Sequence, residues 1–330
     1  MAYAHPSYQA GRREQEARRQ AWERARRRRK RRQMRTVVAV LLLAAAVTAA
    51  GYFYFFRGLS GLFPQKPGLE NVRTDFVCDL DAIAAGLAGR EASFSPQQAD
   101  LSALEEMKTQ YPEYAEELDF FLEHIAYYDQ EGVNTVLMAP EKLEFVLLEP
   151  VTGLQYAQGV DIAPWEGRVP FLIQYDRRWA FHPYGSGPMG YTACGPTSLS
   201  MAVIGLTGNT SATPNVVADY AAANGYYVPG SGTSWSLFTQ GCQDFGLRGE
   251  VISVSKDAMD DCLDRGGVII ASMSAGDFTM NGHILVIVGK SLTGYRVYDP
   301  SSIARSSETW SFQRLSPQIA QLWAMYPAEG

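Results

Sequence analysis

Residues 283–299 read His283-Ile284-Leu285-Val286-Ile287-Val288-Gly289-Lys290-Ser291-Leu292-Thr293-Gly294-Tyr295-Arg296-Val297-Tyr298-Asp299. Two runs rich in β-branched and aromatic residues flank Ser291–Gly294, a stretch of turn formers, which is the pattern of an antiparallel hairpin. With the turn centred near Ser291, His283 and Asp299 stand opposite each other, eight residues to either side. Opposed residues of an antiparallel pair point to the same face with Cβ atoms roughly 4.5–5.5 Å apart, so an imidazole and a carboxylate meet at one end of the hairpin. A register slip of one residue separates them again. A core histidine beside a strand-ending aspartate is the other reading of the same residues.

Working outward, Val268-Ile269-Ile270-Ala271-Ser272-Met273 is a continuous apolar run bounded by Gly266-Gly267 and Gly276, as expected of a buried strand. Arg168-Val169-Pro170-Phe171-Leu172-Ile173 reads as an entry strand. Between them lies Thr192-Ala193-Cys194-Gly195-Pro196-Thr197-Ser198-Leu199-Ser200-Met201-Ala202. Pro196 suits the first position of a helix running to about Gly205, which places Cys194 just before a helix N-terminus. Backbone amides and the helix dipole favour a thiolate there, and a neighbouring imidazolium lowers a thiol pKa further. A lone cysteine is ordinarily a small buried hydrophobe. The downstream His283 and Asp299 tip the balance toward a nucleophile. Gln174 precedes Cys194, and its side-chain amide together with the Cys194 N–H is a candidate oxyanion hole.

Competing motifs fail on their context. Gly185-Ser186-Gly187-Pro188-Met189-Gly190 matches a dinucleotide fingerprint by letters, yet it contains a proline and follows no strand. No G-x-S-x-G elbow of a serine hydrolase occurs. Cys78, Cys194, Cys242 and Cys262 have no C-x-x-C spacing, and the four histidines do not cluster, so neither a metal nor another cofactor is expected. Cys242 and Cys262 read as core residues of helices, with a bridge between them as the alternative.

Upstream, Ser95-Pro96-Gln97-Gln98 has the form of a helix start with a capping box, and Leu101, Leu104, Met107 and Tyr111 follow at helical spacing. Pro112 opens a second helix with Leu118, Phe121, Leu122 and Ile125 on its apolar face, and short helical pieces continue through Val133–Met138 and Glu141–Leu148. The acids of these helices read as a solvated face.

The 330-residue chain carries a formal charge of −6, which averages two unlike parts. Residues 1–35 hold 13 Lys and Arg against three acids, a net +10, whereas the rest holds 16 basic and 32 acidic residues, a net −16. An acidic body excludes nucleic acid binding by the folded part. Residues 36–56, TVVAVLLLAAAVTAAGYFYFF, carry no charge. A helix of that length spans about 31 Å, matching a bilayer core of roughly 30 Å. The arginine-rich tail is then cytoplasmic and residues 58–330 extracytoplasmic, a single-pass arrangement at the cell membrane. A cleaved signal peptide is the competing reading, with an unusually long charged region.

The motifs VPFLIQYDRRW, TACGPTSLSMAV, GYYVPGSGTSWSLF, NGHILVIVGK and YRVYDPSS, in that order over residues 169–300 and beyond, resemble the C-thirty-nine-like cysteine peptidases of the papain-like superfamily, relatives of the double-glycine leader peptidases. The resemblance implies an α+β papain-like fold, with a helical N-terminal half and an antiparallel sheet in the C-terminal half. It implies Cys194 as nucleophile, His283 as general base and acid, Asp299 as the residue orienting the imidazole, and Gln174 as the oxyanion residue. The expected organisation is a basic tail (1–35), a transmembrane helix (36–56), a linker (57–94), a helical spacer (95–164) and a catalytic domain (165–330) acting on a peptide or protein substrate. No multi-span region or nucleotide-binding domain follows the motifs, so leader cleavage coupled to export is not expected. An acyltransferase, a cell-wall amidase on the same triad, or a non-catalytic surface module are the alternatives.

Overall fold

The computed structural model describes residues 66–328. The basic tail and the expected membrane-spanning segment at 36–56 lie outside the described residues. Among the described residues no helix is long and apolar enough to cross a membrane. They form a mixed arrangement of helices and antiparallel sheet.

The first half is helical: α1 (Leu80–Leu87), α2 (Gln98–Gln110), α3 (Ala115–Glu123), α4 (Gln130–Met138) and α5 (Leu143–Thr152). Helix α1 lies inside the stretch expected to be a linker. Asp79 caps it, its carboxylate accepting from the Ala82 amide, and Ile83 and Leu87 are buried. The expected cap of α2 at Ser95 is not formed, because the chain stays extended through Gln97 (φ −71°, ψ 149°). Leu104, Met107, Leu118 and Phe121 face inward at the expected spacing.

Then follow α6 (Cys194–Thr207), α7 (Pro214–Ala223), β1 (Leu247–Ile252), α8 (Lys256–Asp264), β2 (Val268–Ser274), β3 (Gly282–Lys290), β4 (Tyr295–Tyr298), β5 (Thr309–Trp310) and β6 (Ile319–Pro327). The six strands make one antiparallel sheet in the order β1-β6-β2-β3-β4-β5. The apolar runs do not alternate with polar residues because both faces of the sheet are covered. Val268, Ile270, Ile284 and Val286 share one core with α6, whereas Ile269, Ala271, Leu285 and Ile287 share a second with Met259 and Cys262 of α8.

Three local expectations are corrected. Residues 168–173 are not a strand. Phe171, Leu172 and Ile173 are buried, but Pro170 has no amide to donate, Leu172 donates to Met201 Sδ, and the Gln174 amide donates to the Pro300 carbonyl. Helix α6 begins at Cys194 rather than at Pro196. The first turn needs no intrahelical donors, so a proline at its third residue costs no hydrogen bond. The hairpin register also differs. Val286 pairs with Tyr298 and Ile287 with Val297, and after a bulge Gly289 pairs with Arg296. The closed turn, Ser291 N to Gly294 O at 2.7 Å, places the hairpin centre about one residue beyond Ser291. His283 and Asp299 are therefore diagonal neighbours, not directly opposed.

The helical layer and the segments around α6 share a single core. Phe145 of α5 lies 5.4 Å from the Phe181 ring and 4.9 Å from that of Tyr191. A Cβ on Gly190 would come within 2.2 Å of Phe145, so only glycine admits this approach. Phe145→Ala is expected to destabilise the protein by about 3–5 kcal/mol, as large core truncations do. Urea denaturation checks this, and a loss below about 1 kcal/mol would mean the helices do not unfold with the sheet.

Candidate active site

Helix α6 is buried from Gly195 to Ile204, leaving Cys194 at its open end, half-buried. Burial works against its thiolate. A hydrogen bond from His283, the positive charge of that ring, and the amides of Ile284 and Gly195 overcome it, so the thiol pKa falls below the ordinary value. Gly195 is a glycine for a steric reason, since a Cβ there would lie 2.5 Å from Thr233 Oγ1. Ser198 donates to the Ile284 carbonyl at 3.3 Å, tying the first turn of α6 to the strand that carries His283.

His283 is buried on β3. Its Nε2 lies 2.6 Å from Asp299 Oδ1, which leaves Nδ1 for Cys194. Burial alone would depress the imidazolium. The Asp299 charge and hydrogen bond, with a further contribution from Cys194, outweigh it and raise the pKa to about 9. Asp299 is fully buried, and burial would raise its pKa. Arg305 and His283 hold it well below the usual carboxylate range instead. Both its oxygens are engaged: Oδ1 also accepts from the Ser301 amide at 2.7 Å, and Oδ2 from Arg305 Nε at 2.6 Å.

Three of the four residues singled out from the sequence thus come together, Asp299 hydrogen-bonded to His283 and the His283 ring acting on Cys194. The fourth, Gln174, lines the same cleft as Cys194 and His283, but its amide is engaged elsewhere. Nε2 donates to the carbonyls of Gly190 at 2.8 Å and Tyr191 at 3.0 Å, while its buried Oε1 has no partner among the described residues. Rotating the amide would set Oε1 against those two carbonyls, so the observed orientation is the one the surroundings favour.

The remaining cysteines have a different chemistry. Burial pushes the thiols of Cys78 and Cys242 up to about 11 and raises that of Cys262, and all four cysteines are free. The aromatic residues also separate. Trp179 is core, its Nε1 donating to Ile173, whereas Tyr191 and the half-exposed Trp235 face the site.

Two lobes of a cleft meet at the Cys194–His283 pair. One, about 320 Å³, is walled by one face of α4 (Gln130, Glu131, Asn134, Thr135 and Met138) with Lys142, Gln174, Phe278–Gly282, Ser301 and Arg305. The other, about 430 Å³, is walled by Ser186, Tyr227, Gly230–Thr233, Trp235 and Ser272. The region read as a spacer therefore supplies one wall. It is attached where the site is most sensitive: Arg305 Nη1 donates to Met138 O at 2.6 Å, and Ser302 Oγ to Glu141 Oε1 at 2.6 Å. Arg305, Glu141 and Lys142 were not singled out by sequence reasoning. Arg305 follows Asp299 by only six residues, but nothing in that spacing says that a helical turn (Ile303–Ser306) folds it back onto the carboxylate.

Residues 167–327 match the model of the Peptidase_C39 like family. No curated protein and no solved structure matches the chain.

A lowered thiol beside a raised imidazole favours a thiolate–imidazolium pair. Iodoacetamide should alkylate Cys194 with an acid limb below the ordinary thiol pKa. A second change is expected near pH 9 as the His283 proton is lost. Cys78 and Cys242 should react only at strongly alkaline pH. A Cys194 profile with a single step near 8.5 would contradict the ion pair.

Proposed function

With residues 167–327 as a C-thirty-nine-like cysteine peptidase domain, we propose that the protein hydrolyses peptide bonds through a Cys194-His283-Asp299 triad in a papain-like arrangement. The observation that carries this reading is the buried His283–Asp299 hydrogen bond with Cys194 beside the ring, where the two lobes of the cleft meet. Cys194 attacks the carbonyl carbon as a thiolate, and the tetrahedral adduct collapses to a thioester as the amine departs. His283, charged in the resting pair, donates the proton that the leaving amine takes. It then removes a proton from the water that attacks the thioester, and returns to the imidazolium as the acid product and thiolate separate. Asp299 holds Nε2 and stabilises the charged ring without taking the proton itself.

Gln174 is the proposed side-chain donor to the oxyanion. A developing negative charge competes with the Tyr191 carbonyl, the longer of its two partners, for one Nε2 hydrogen. The uncharged segment at 36–56 supports a single-pass anchor, with the arginine-rich tail in the cytoplasm and the peptidase domain outside the membrane.

Full-length protein incubated with a mixed peptide library should yield new amino termini, read by mass spectrometry. Cys194→Ala and His283→Ala should abolish cleavage with the circular dichroism spectrum retained, and Asp299→Asn should lower it by roughly 10²–10⁴-fold. Cleavage by Cys194→Ala protein at the unaltered rate would refute the mechanism.

A further inference from the structure

The cleft contains a cation that the triad does not use. Lys142 ends the short helical turn Pro140–Lys142 between α4 and α5, and only 3% of its surface is exposed. Its ammonium carries three donors. Ser301 Oγ accepts one at 3.2 Å, and the faces of Tyr175 and Tyr191 lie 5.5 and 6.0 Å away. Among the described residues no carboxylate is within ion-pair distance of it. Asp299, Glu141 and Glu131 contribute charge from further off; Asp299 is engaged by His283, Ser301 and Arg305, and Glu141 Oε1 accepts from Ser302 and the Ala304 amide. Burial, reinforced by Arg305, lowers its pKa to about 8, which still leaves it mostly protonated at neutral pH. Buried ammonium groups are normally paired, because an unpaired one is costly. This one lines the same lobe as Cys194, His283 and Gln174.

We propose that Lys142 is a specificity-determining residue that receives a substrate carboxylate close to the scissile bond. This rests on the reading of Cys194 as the nucleophile and deepens it, naming the substrate class as peptides with an anionic group at that subsite. The carboxylate has two possible sources, the free main-chain terminus of a short peptide or an acidic side chain. The shared chemistry is a carboxylate accepting charge-assisted hydrogen bonds in a cleft with limited access to water. The competing role, a lysine that merely holds the Ser301 turn, predicts no dependence on the charge of the bound group.

Three near-isosteric reagents separate these cases in the full-length protein: N-bromoacetyl-glutamine, with a main-chain carboxylate; N-bromoacetyl-glutamate α-amide, with a side-chain carboxylate; and neutral N-bromoacetyl-glutamine amide. In each, the Cys194 thiolate forms the S–C bond as bromide leaves, so the alkylation rate reads the local affinity for the group carried. At least one carboxylate reagent should label Cys194 about tenfold or more faster than the neutral one, and which one identifies the source. In Lys142→Gln the carboxylate-to-neutral ratio should fall to one or below, since Glu131 remains in the cleft, and Lys142→Arg should keep part of the preference. Lys142→Met serves if the glutamine variant does not fold. No preference in the wild type, or a preference that survives in both neutral variants, overturns the proposal. Failure of the nucleophile reading looks different: the neutral reagent would then label Cys194 no faster than free cysteine at the same pH.

Discussion

The buried carboxylate of Asp299 is the constraint on which the site depends. A fully desolvated charge is tolerated only when its oxygens are filled, and here His283, Arg305 and the Ser301 amide fill them. Each partner comes from a different piece of structure. His283 lies on β3, Ser301 in the loop after β4, and Arg305 in the helical turn beyond it. Arg305 in turn reaches the end of α4 through the Met138 carbonyl. Removing one partner of such a pair typically costs about 3–5 kcal/mol, because the other charge stays buried. The carboxylate that orients the imidazole is thus also the joint between the sheet and the helical layer.

That joint explains why the helices are not a passive spacer. They contribute buried residues to the core that also holds α6, and they form a wall of the cleft through residues 130–142. The proposed nucleophile, at the open end of a buried helix, needs a rigid opposite wall if a substrate is to be held at a fixed distance. Covering both faces of the sheet serves the same end from below. Helix α6 rests on one face and α8 on the other, so β3 cannot shift without disturbing two cores.

Electrostatically, the site separates one thiol from three others of the same chemistry. Burial raises Cys78, Cys242 and Cys262, whereas Cys194, also partly shielded, is lowered because an imidazolium and two backbone amides face it. The deciding variable is the set of donors aimed at the sulfur, not the degree of burial.

The local signals were legible in the chain: the apolar runs of β2 and β3, the Ser291–Gly294 turn, and the cysteine at a helix start followed by His283 and Asp299. They were legible because strand periodicity, turn chemistry and capping are short-range effects that a few neighbouring residues determine. Their exact registration was not. The bulge between Ile287 and Gly289 set His283 and Asp299 diagonally, and the side chains still met because an imidazole spans the longer separation. Residues 168–173 looked like a strand by composition, and only the competition for ladder partners excluded them. Arg305, Glu141 and Lys142 carry no local signature, since their roles arise from contacts with residues far along the chain, such as the 159 positions between Lys142 and Ser301. The sequence by itself determined which groups are chemically able to react. Tertiary structure decided which charges surround them, because charge interactions act through space and the chain brings distant residues together only when it packs.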